Sequence, residues 1–184
     1  LQATNGCGPR GTRASGIPAP MRTPDPAATT IAYVTRTGYV DGVSLHIGTS
    51  GWAYKEWKPD FYPADVRPDG FLEYYGTQLT ACEINATFYR LQSETAVAKW
   101  AASVPDGFRF ATKVHRRLTH SREMAWGDAE RDFLERFLES VAALGDRFGT
   151  ILLQYAATRQ RDDTALDSVL DALPAGLPFA VEFR

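Results

Sequence analysis

The chain has 184 residues, of which 44% are hydrophobic, 12% aromatic and 23% charged. This composition is ordinary for a globular protein and excludes a fibrous or wholly disordered chain. The 20 basic and 22 acidic residues give a formal net charge of -2, so charge alone gives no reason to expect a nucleic acid or an anionic membrane as partner. No stretch approaches the roughly 18 consecutive apolar residues of a membrane-spanning helix, and we therefore expect a soluble protein.

The first 40 residues differ from the rest of the chain. The first 30 hold five of the 11 prolines and no aromatic residue, which predicts a disordered Pro/Gly-rich tail over 1–40. The basic start is not followed by an apolar run, so no secretory signal peptide is predicted. The two cysteines are too few for a disulfide framework, which favours a cytoplasmic location.

Short apolar runs alternate with segments of helical period from Leu45 onward. This pattern is typical of repeated β-α units and a parallel sheet. Five strands are predicted, at 45–50, 81–85, 108–113, 149–155 and 178–183. Their starting points have the spacing of β-α units.

Four helices are predicted between the strands from capping residues and from apolar residues at helical spacing. Ser93 caps the second helix, Asp128 caps the third, Gly145 ends the third, and Asp162 or Asp163 begins the fourth. The residues predicted to be buried by the four helices are Phe71, Leu72, Tyr75 and Leu79; Val97, Trp100 and Val104; Phe133, Leu134, Phe137, Leu138 and Val141; and Leu166, Val169, Leu170 and Leu173.

The length of the folded part predicts an incomplete β/α barrel. A complete TIM barrel takes about 250 residues, and residues 45–184 would hold about 4.5 of its units. The predicted fold class is therefore α/β, a TIM (β/α) barrel with about five of its eight strands present in one domain over 45–184. Because Arg184 follows a strand directly, we expect a barrel cut short, whose open edges and apolar interior lead to self-association.

Four segments resemble, in order and spacing, the signatures of the YecE-like family, catalogued as domain of unknown function 72. They are IGTSGWAYKEWKPDFYP at 47–63, CEINATFYRL at 82–91, FRFATKVHRRLTH at 108–120 and VEFR at 181–184. The resemblance covers essentially all of 45–184 and implies a TIM barrel whose biochemical activity is not established. The chain departs from the family pattern at Pro59, at Gln92 and at 154–157, where the family usually has Gln-Leu-Pro-Pro.

Polar residues at the carboxyl ends of the strands are candidate site residues, because the loops after the strands build the active site of a β/α barrel. Side chains alternate along a strand, so the polar residues of four neighbouring strands face one side. Burying an unpaired charge costs several kcal/mol, so these groups must be paired, hydrated or bound to a ligand. We predict three catalytic residues, Glu83, Lys113 and Glu182, and seven substrate-binding residues, Ser50, Trp52, Tyr54, Asn85, His120, Gln154 and Arg184.

The function predicted from these residues is binding or conversion of a small polar molecule, anionic or sugar-like, at the carboxyl-terminal mouth of the barrel. A carboxylate would act as general base, and Lys113 would hold a developing oxyanion or a phosphate. The alternative within this site is a structural ring of ion pairs, Glu83 with Lys113 and Glu182 with Arg184.

An alternative function is a nucleic-acid-binding module that uses the basic segment 113–122 and the aromatic loop 52–62. The basic residues also fit an ordinary solvated surface, and the aromatic residues also fit a hydrophobic plug over the barrel mouth. Cofactor and reaction stay open. No metal site is predicted, because Glu83, His115, His120 and Glu182 lack a ligand spacing.

Overall fold

The computed structural model describes residues 30–36 and 43–184. The strands in this part of the chain are β1 (Thr30–Arg36), β2 (Val43–Ser50), β3 (Ala81–Ile84), β4 (Arg109–Lys113), β5 (Phe148–Gln154) and β6 (Phe179–Glu182). The α-helices are α1 (Phe71–Gln78), α2 (Ala86–Tyr89), α3 (Glu94–Ala102), α4 (Arg116–Thr119), α5 (Asp128–Val141) and α6 (Asp163–Ala172). Short 3-10 turns occupy Lys55–Trp57, Pro68–Gly70 and Ala142–Arg147.

The strands form one sheet in chain order, β1 to β6. Strands β2 to β6 run parallel, each paired with the next, and they curl into a half-barrel with α/β connections. All five predicted strands are therefore confirmed, with ends that differ by one or two residues. Apolar runs at β-α spacing were sufficient to locate them, because a buried parallel strand is apolar on both faces.

The strand β1 is an element that the sequence analysis did not predict. It pairs antiparallel with β2, with Thr30 opposite Thr49 and Arg36 opposite Val43. It falls within the segment 1–40, for which a disordered tail was predicted. The other residues of that predicted tail, 1–29 and 37–40, lie outside the described residues.

A buried tyrosine attaches α1 to the sheet. The Tyr75 hydroxyl accepts a hydrogen bond from the Thr49 amide at 2.8 Å and donates one to the Ala81 carbonyl at 2.9 Å. Strands β2 and β3 also approach each other closely at Gly48, where an added Cβ atom would lie 1.8 Å from the Ala81 carbonyl oxygen. Only glycine fits there, so this residue allows β2 and β3 to pair at the observed register.

Two of the predicted helix starts are confirmed by their capping hydrogen bonds. The Ser93 hydroxyl accepts from the Ala96 amide at 3.3 Å, and the Asp162 carboxylate accepts from the Ala165 amide at 3.0 Å. Such a cap satisfies one of the free amide groups in the first helical turn.

Two helix predictions are corrected by the structure. Gly127, not Asp128, is the N-cap of α5, and the Glu130 carboxylate accepts a hydrogen bond from its amide at 3.2 Å. Asp128 is the first helical residue, where its charge still favours the positive end of the helix dipole. Leu170 is 38% exposed rather than buried, because it lies outside the stripe formed by Ala165, Val169 and Leu173.

The single-turn helices α2 and α4 were also absent from the sequence analysis. Each has four residues, which is too short to show a helical period. Both follow directly after strands of the half-barrel, β3 and β4, and they therefore shape the edge of the sheet at which the candidate site lies. Within the described residues, no helix has the length and apolarity needed to cross a lipid bilayer.

Candidate functional site

The structure brings most of the predicted site residues to one edge of the sheet, at the carboxyl ends of β2 to β6. The strand register explains this placement, since Ser50 is aligned with Glu83 and Gln154 with Glu182. The residues linked there by hydrogen bonds or by electrostatic interaction are Ser50, Glu83, Asn85, Lys113, Gln154, Glu182 and Arg184.

Glu83 is a buried acid whose carboxyl group accepts a hydrogen bond from a neutral hydroxyl. Its side chain is 3% exposed, and its Oε1 accepts a hydrogen bond from the Ser50 hydroxyl at 3.0 Å. The Asn85 amide in turn donates to that hydroxyl at 2.6 Å, which orients it. Burial raises the pKa of the Glu83 carboxyl, and the bond from Ser50 and the charge of Lys113 oppose the rise only in part.

Lys113 takes a neutral partner rather than a carboxylate. Its ammonium group donates to the side-chain carbonyl of Gln154 and lies 4.7 Å from the centre of the Phe88 ring. Burial lowers the pKa of the half-buried Lys113, while the charges of Glu83 and Glu182 offset part of this effect. No ion pair between Lys113 and Glu83 forms among the described residues.

Glu182 has the opposite electrostatic environment to Glu83. Burial alone would raise the pKa of Glu182, but hydrogen bonds from Arg184 and Gln154 outweigh it and lower that pKa. The Arg184 guanidinium donates to Glu182 Oε1 at 2.7 Å. The ring of ion pairs considered from the sequence is thus present only in its second half, and the two carboxyl groups differ in proton affinity, which is the arrangement typical of acid/base sites.

The aromatic loop after β2 divides into a buried part and a half-buried part. Trp57, Phe61 and Tyr62 are buried and pack on one another, as a hydrophobic plug would. Trp52 and Tyr54 keep partial exposure, and the Tyr54 hydroxyl donates to the Ser50 carbonyl at 2.6 Å. Only these two rings are therefore available to a ligand, and they are the two that were predicted as binding residues.

His120 lies at the rim of the site rather than in its buried part. It is exposed, and its ring centre lies 4.9 Å from that of Phe88, the same ring that contacts Lys113. Burial and the charges of Lys113, Arg116 and Arg159 lower the pKa of His120. His115, by contrast, accepts a hydrogen bond from the Arg117 amide and so caps α4.

A cavity of about 810 Å³ adjoins His120. Its lining includes Arg122 and Arg159 from the loops that follow β4 and β5. The Arg159 guanidinium donates to the backbone carbonyls of Ser121 and Arg122, and it thereby ties the two loops together. Arg159 and Phe88 were both missed by the sequence analysis. Phe88 lies inside one of the motifs, but no spacing rule places its ring beside Lys113.

The described residues contain no group of three or more histidine, cysteine, aspartate or glutamate side chains that could hold a metal ion. The side chains that meet at the site are instead the buried acid Glu83, the half-buried amine of Lys113, the ion pair of Glu182 with Arg184, amides and hydroxyls. This set can bind hydroxyl and carbonyl oxygens and can exchange protons with them.

Comparison with known proteins identifies the family. A family model described as "Protein of unknown function DUF72" matches residues 46–184. This chain belongs to the DUF72 family. The resemblance drawn from the four sequence motifs is confirmed.

Among curated proteins, UPF0759 protein YunF of Bacillus subtilis (strain 168) is 23% identical over 145 residues. The match covers 76% of this chain and 50% of YunF, so this DUF72 chain spans about half the length of that relative.

Solved structures of DUF72 proteins share the fold. A DUF72 family protein (TM1631) from Thermotoga maritima MSB8 superposes with a TM-score of 0.58 at 24% identity, covering 74% of this chain and 54% of that one. A second DUF72 family protein (EF0366), from Enterococcus faecalis V583, gives 0.54 at 26% identity, covering 61% of this chain and 47% of that one.

Proposed function

We propose that this DUF72 chain binds a small polar molecule, anionic or sugar-like, at the carboxyl ends of β2 to β6. We also propose that these strands form part of a TIM barrel, with the site at its mouth. The chain order of five parallel, curling strands supports this architecture. In that fold, ligands bind where the strands end and the βα loops begin.

One observation carries the proposal: Glu83 and Lys113 lie on neighbouring strands with charges that interact, yet each bonds to a neutral group. Glu83 is bound by Ser50, and Lys113 is bound to Gln154. Keeping a buried acid and a half-buried amine apart costs free energy that an ion pair would offset in part. Such separation is expected where a ligand completes the hydrogen bonding of both groups.

The role proposed for each residue follows from its position in the site. Glu83 exchanges a proton with the ligand, and Lys113 binds an anionic or carbonyl oxygen. The half-buried rings of Trp52 and Tyr54 offer faces on which a sugar ring can pack. Asn85 and Gln154 hold the hydrogen-bonding groups in place, and the rim residues His120, Glu182 and Arg184 contact the outer part of the ligand.

A metabolite screen by thermal shift tests the proposal. We expect compounds that stabilise the full chain to lose their effect when Glu83→Gln is combined with Lys113→Ala. The matched control is Glu135→Gln combined with Lys99→Ala, which makes the same charge changes at exposed helix positions and keeps the stabilisation. Compounds that stabilise the site variant as much as the parent chain would exclude binding at Glu83 and Lys113.

Nucleic-acid binding stays the second candidate, and one observation favours it. Arg116 and Arg117 are exposed on α4, which ends just before His120, and His120 and Arg122 line the cavity. The burial of Trp57, Phe61 and Tyr62 weakens it, because these rings cannot stack on bases. Oligonucleotide binding that falls steeply with salt would support this function, and its absence at low salt would remove it.

A further inference from the structure

Lys113 differs from the other lysines of the chain in where it lies. The chain has four lysines, and the other three are Lys55, Lys58 and Lys99. Lys55 and Lys99 are exposed, and Lys58 lies in the loop after β2, where it donates to the Ala64 carbonyl at 3.0 Å. Lys113 alone lies at a strand end of the half-barrel, within the electrostatic reach of a buried acid.

We propose that the Lys113 amine is a nucleophile that condenses with the carbonyl carbon of a small hydroxy-aldehyde or hydroxy-ketone and forms an imine. This inference rests on the proposed function, because it assigns a reaction and a substrate class to the same site. A hydroxylated carbonyl compound fits the surrounding amide, hydroxyl and carboxyl groups, each of which can bond to a hydroxyl oxygen.

The surroundings of Lys113 favour the neutral amine, which is the form that reacts. Burial removes water from the ammonium group and lowers its pKa, against the opposing charges of Glu83 and Glu182. The Gln154 carbonyl supplies one hydrogen bond but no negative charge to hold the proton. The Phe88 ring at 4.7 Å favours the charged form, but a contact of this kind is weak beside the loss of hydration.

Glu83 supplies the proton that imine formation requires. Burial raises the pKa of its carboxyl, so a protonated fraction persists further toward neutral pH than for an exposed glutamate. The two groups lie on neighbouring strands and interact electrostatically, and no ion pair joins them among the described residues. The hydrogen bond from Ser50 fixes the orientation of the carboxyl group.

The step balances with these two residues and the ligand alone. The neutral amine attacks the carbonyl carbon, the C–N bond forms, and a proton moves from nitrogen to oxygen to give a carbinolamine. Glu83 then protonates the hydroxyl group, the C–O bond breaks, and water leaves. The nitrogen lone pair completes a protonated imine opposite a Glu83 carboxylate.

Reductive trapping tests this proposal on the full chain. The protein is treated with glyceraldehyde and sodium cyanoborohydride, which reduces an imine to a stable secondary amine, and the modified lysines are located by peptide mass spectrometry. We expect Lys113 to react severalfold faster than Lys58 or Lys99, because a lower pKa leaves more of its amine neutral at the same pH. Reaction at Lys113 no faster than at the other lysines would overturn the inference.

Gln154→Glu is the diagnostic variant. A carboxylate beside Lys113 raises its pKa, and we expect trapping at Lys113 to slow about tenfold while trapping at Lys58 is unchanged. Circular dichroism and urea unfolding verify that the variant folds. An unchanged trapping rate at Lys113 in the folded variant would contradict the idea that the neutral Gln154 partner favours the reactive amine.

The outcome also separates this inference from the proposed function. The thermal-shift screen measures reversible binding, and trapping measures a covalent bond at one residue. Screen hits that depend on Glu83 and Lys113, together with no preferential trapping, would retain the binding function and overturn the nucleophile. Preferential trapping at Lys113, together with screen hits whose effect does not depend on Glu83 and Lys113, would retain the nucleophile and overturn the binding function.

Discussion

The Lys113 ammonium group donates to the side-chain carbonyl of Gln154, 41 residues further along the chain, and not to the carboxyl group of Glu83. This choice of partner leaves an acid and an amine on neighbouring strands without a shared ion pair. It distinguishes the site from a complete structural ring of salt bridges, since only the pair of Glu182 with Arg184 is formed.

The first prediction concerns stability at Glu83. Burial raises its pKa in the folded chain, so between the unfolded and the folded pKa only the folded state keeps the proton, and stability falls as pH rises through that range. We expect Glu83→Gln to be more stable than the parent chain at neutral pH, because the neutral amide carries no charge for burial to penalise. The two proteins should become similar in acid.

Urea unfolding at about pH 4 and about pH 7 measures this difference. Glu135→Gln, at an exposed position of α5, is the control and should show no such pH dependence. A parent chain that gains stability over Glu83→Gln as pH rises would contradict the sign of the pKa shift.

The second prediction concerns Gln154, which is 7% exposed and bridges Lys113 and Glu182. Gln154→Ala leaves both charged groups without their neutral partner, and we expect a loss of about 1–3 kcal/mol in the free energy of unfolding. Gln78→Ala, at the exposed end of α1, should change it by less than about 0.5 kcal/mol. Equal effects at the two positions would show that the bridge contributes nothing specific.

The third prediction compares two fully buried tyrosines. The Tyr75 hydroxyl bonds to Thr49 and Ala81, whereas the Tyr155 hydroxyl has no hydrogen-bond partner among the described residues. Burial raises the pKa of Tyr155 to about 12. We expect Tyr75→Phe to lose about 1–3 kcal/mol, because the Thr49 amide is left unpaired, and Tyr155→Phe to be neutral or slightly stabilising.

Chemical denaturation of the two variants measures both values under one set of conditions. The parent chain is the reference, and the two substitutions remove the same atom. A larger loss of stability in Tyr155→Phe than in Tyr75→Phe would contradict the hydrogen bonding assigned to the two hydroxyl groups.

The fourth prediction concerns self-association through β6. Phe179 is 44% exposed and Phe183 is 59% exposed, and within the described sheet β6 pairs with β5 alone. An open strand edge with exposed aromatic rings favours association, so we expect the apparent mass in size-exclusion chromatography to rise with concentration. Phe183→Lys should reduce this rise, because a charged side chain opposes edge pairing.

Tyr89→Lys is the matched control, since Tyr89 is 67% exposed on α2, away from that edge. It should leave the association unchanged. A chain that remains monomeric at every concentration, or equal effects of the two substitutions, would contradict association through β6.

The five parallel strands, though not β1, and two helix caps could be predicted from the sequence. Each depends on residues close together in the chain: an apolar run makes a buried parallel strand, and Ser93 and Asp162 bond to amides three residues away. The placement of the polar residues at one edge also followed, since parallel strands end on the same side. The cap at Gly127 was missed although it is also local, because glycine has no capping side chain and the acceptor of the bond is the Glu130 carboxylate. The exposure of Leu170 did not follow, because it depends on how α6 packs on the sheet.

The partner that each polar side chain takes depends on contacts between residues far apart in the chain. Ser50 and Glu83 are 33 residues apart, and Lys113 and Gln154 are 41 apart. Whether Lys113 bonds to Glu83 or to Gln154 depends on strand register and on differences of about an ångström between side chains, because hydrogen bonds weaken steeply with distance and angle. The division of the aromatic loop into buried and half-buried rings has the same cause, since burial is decided by the elements that pack over each ring.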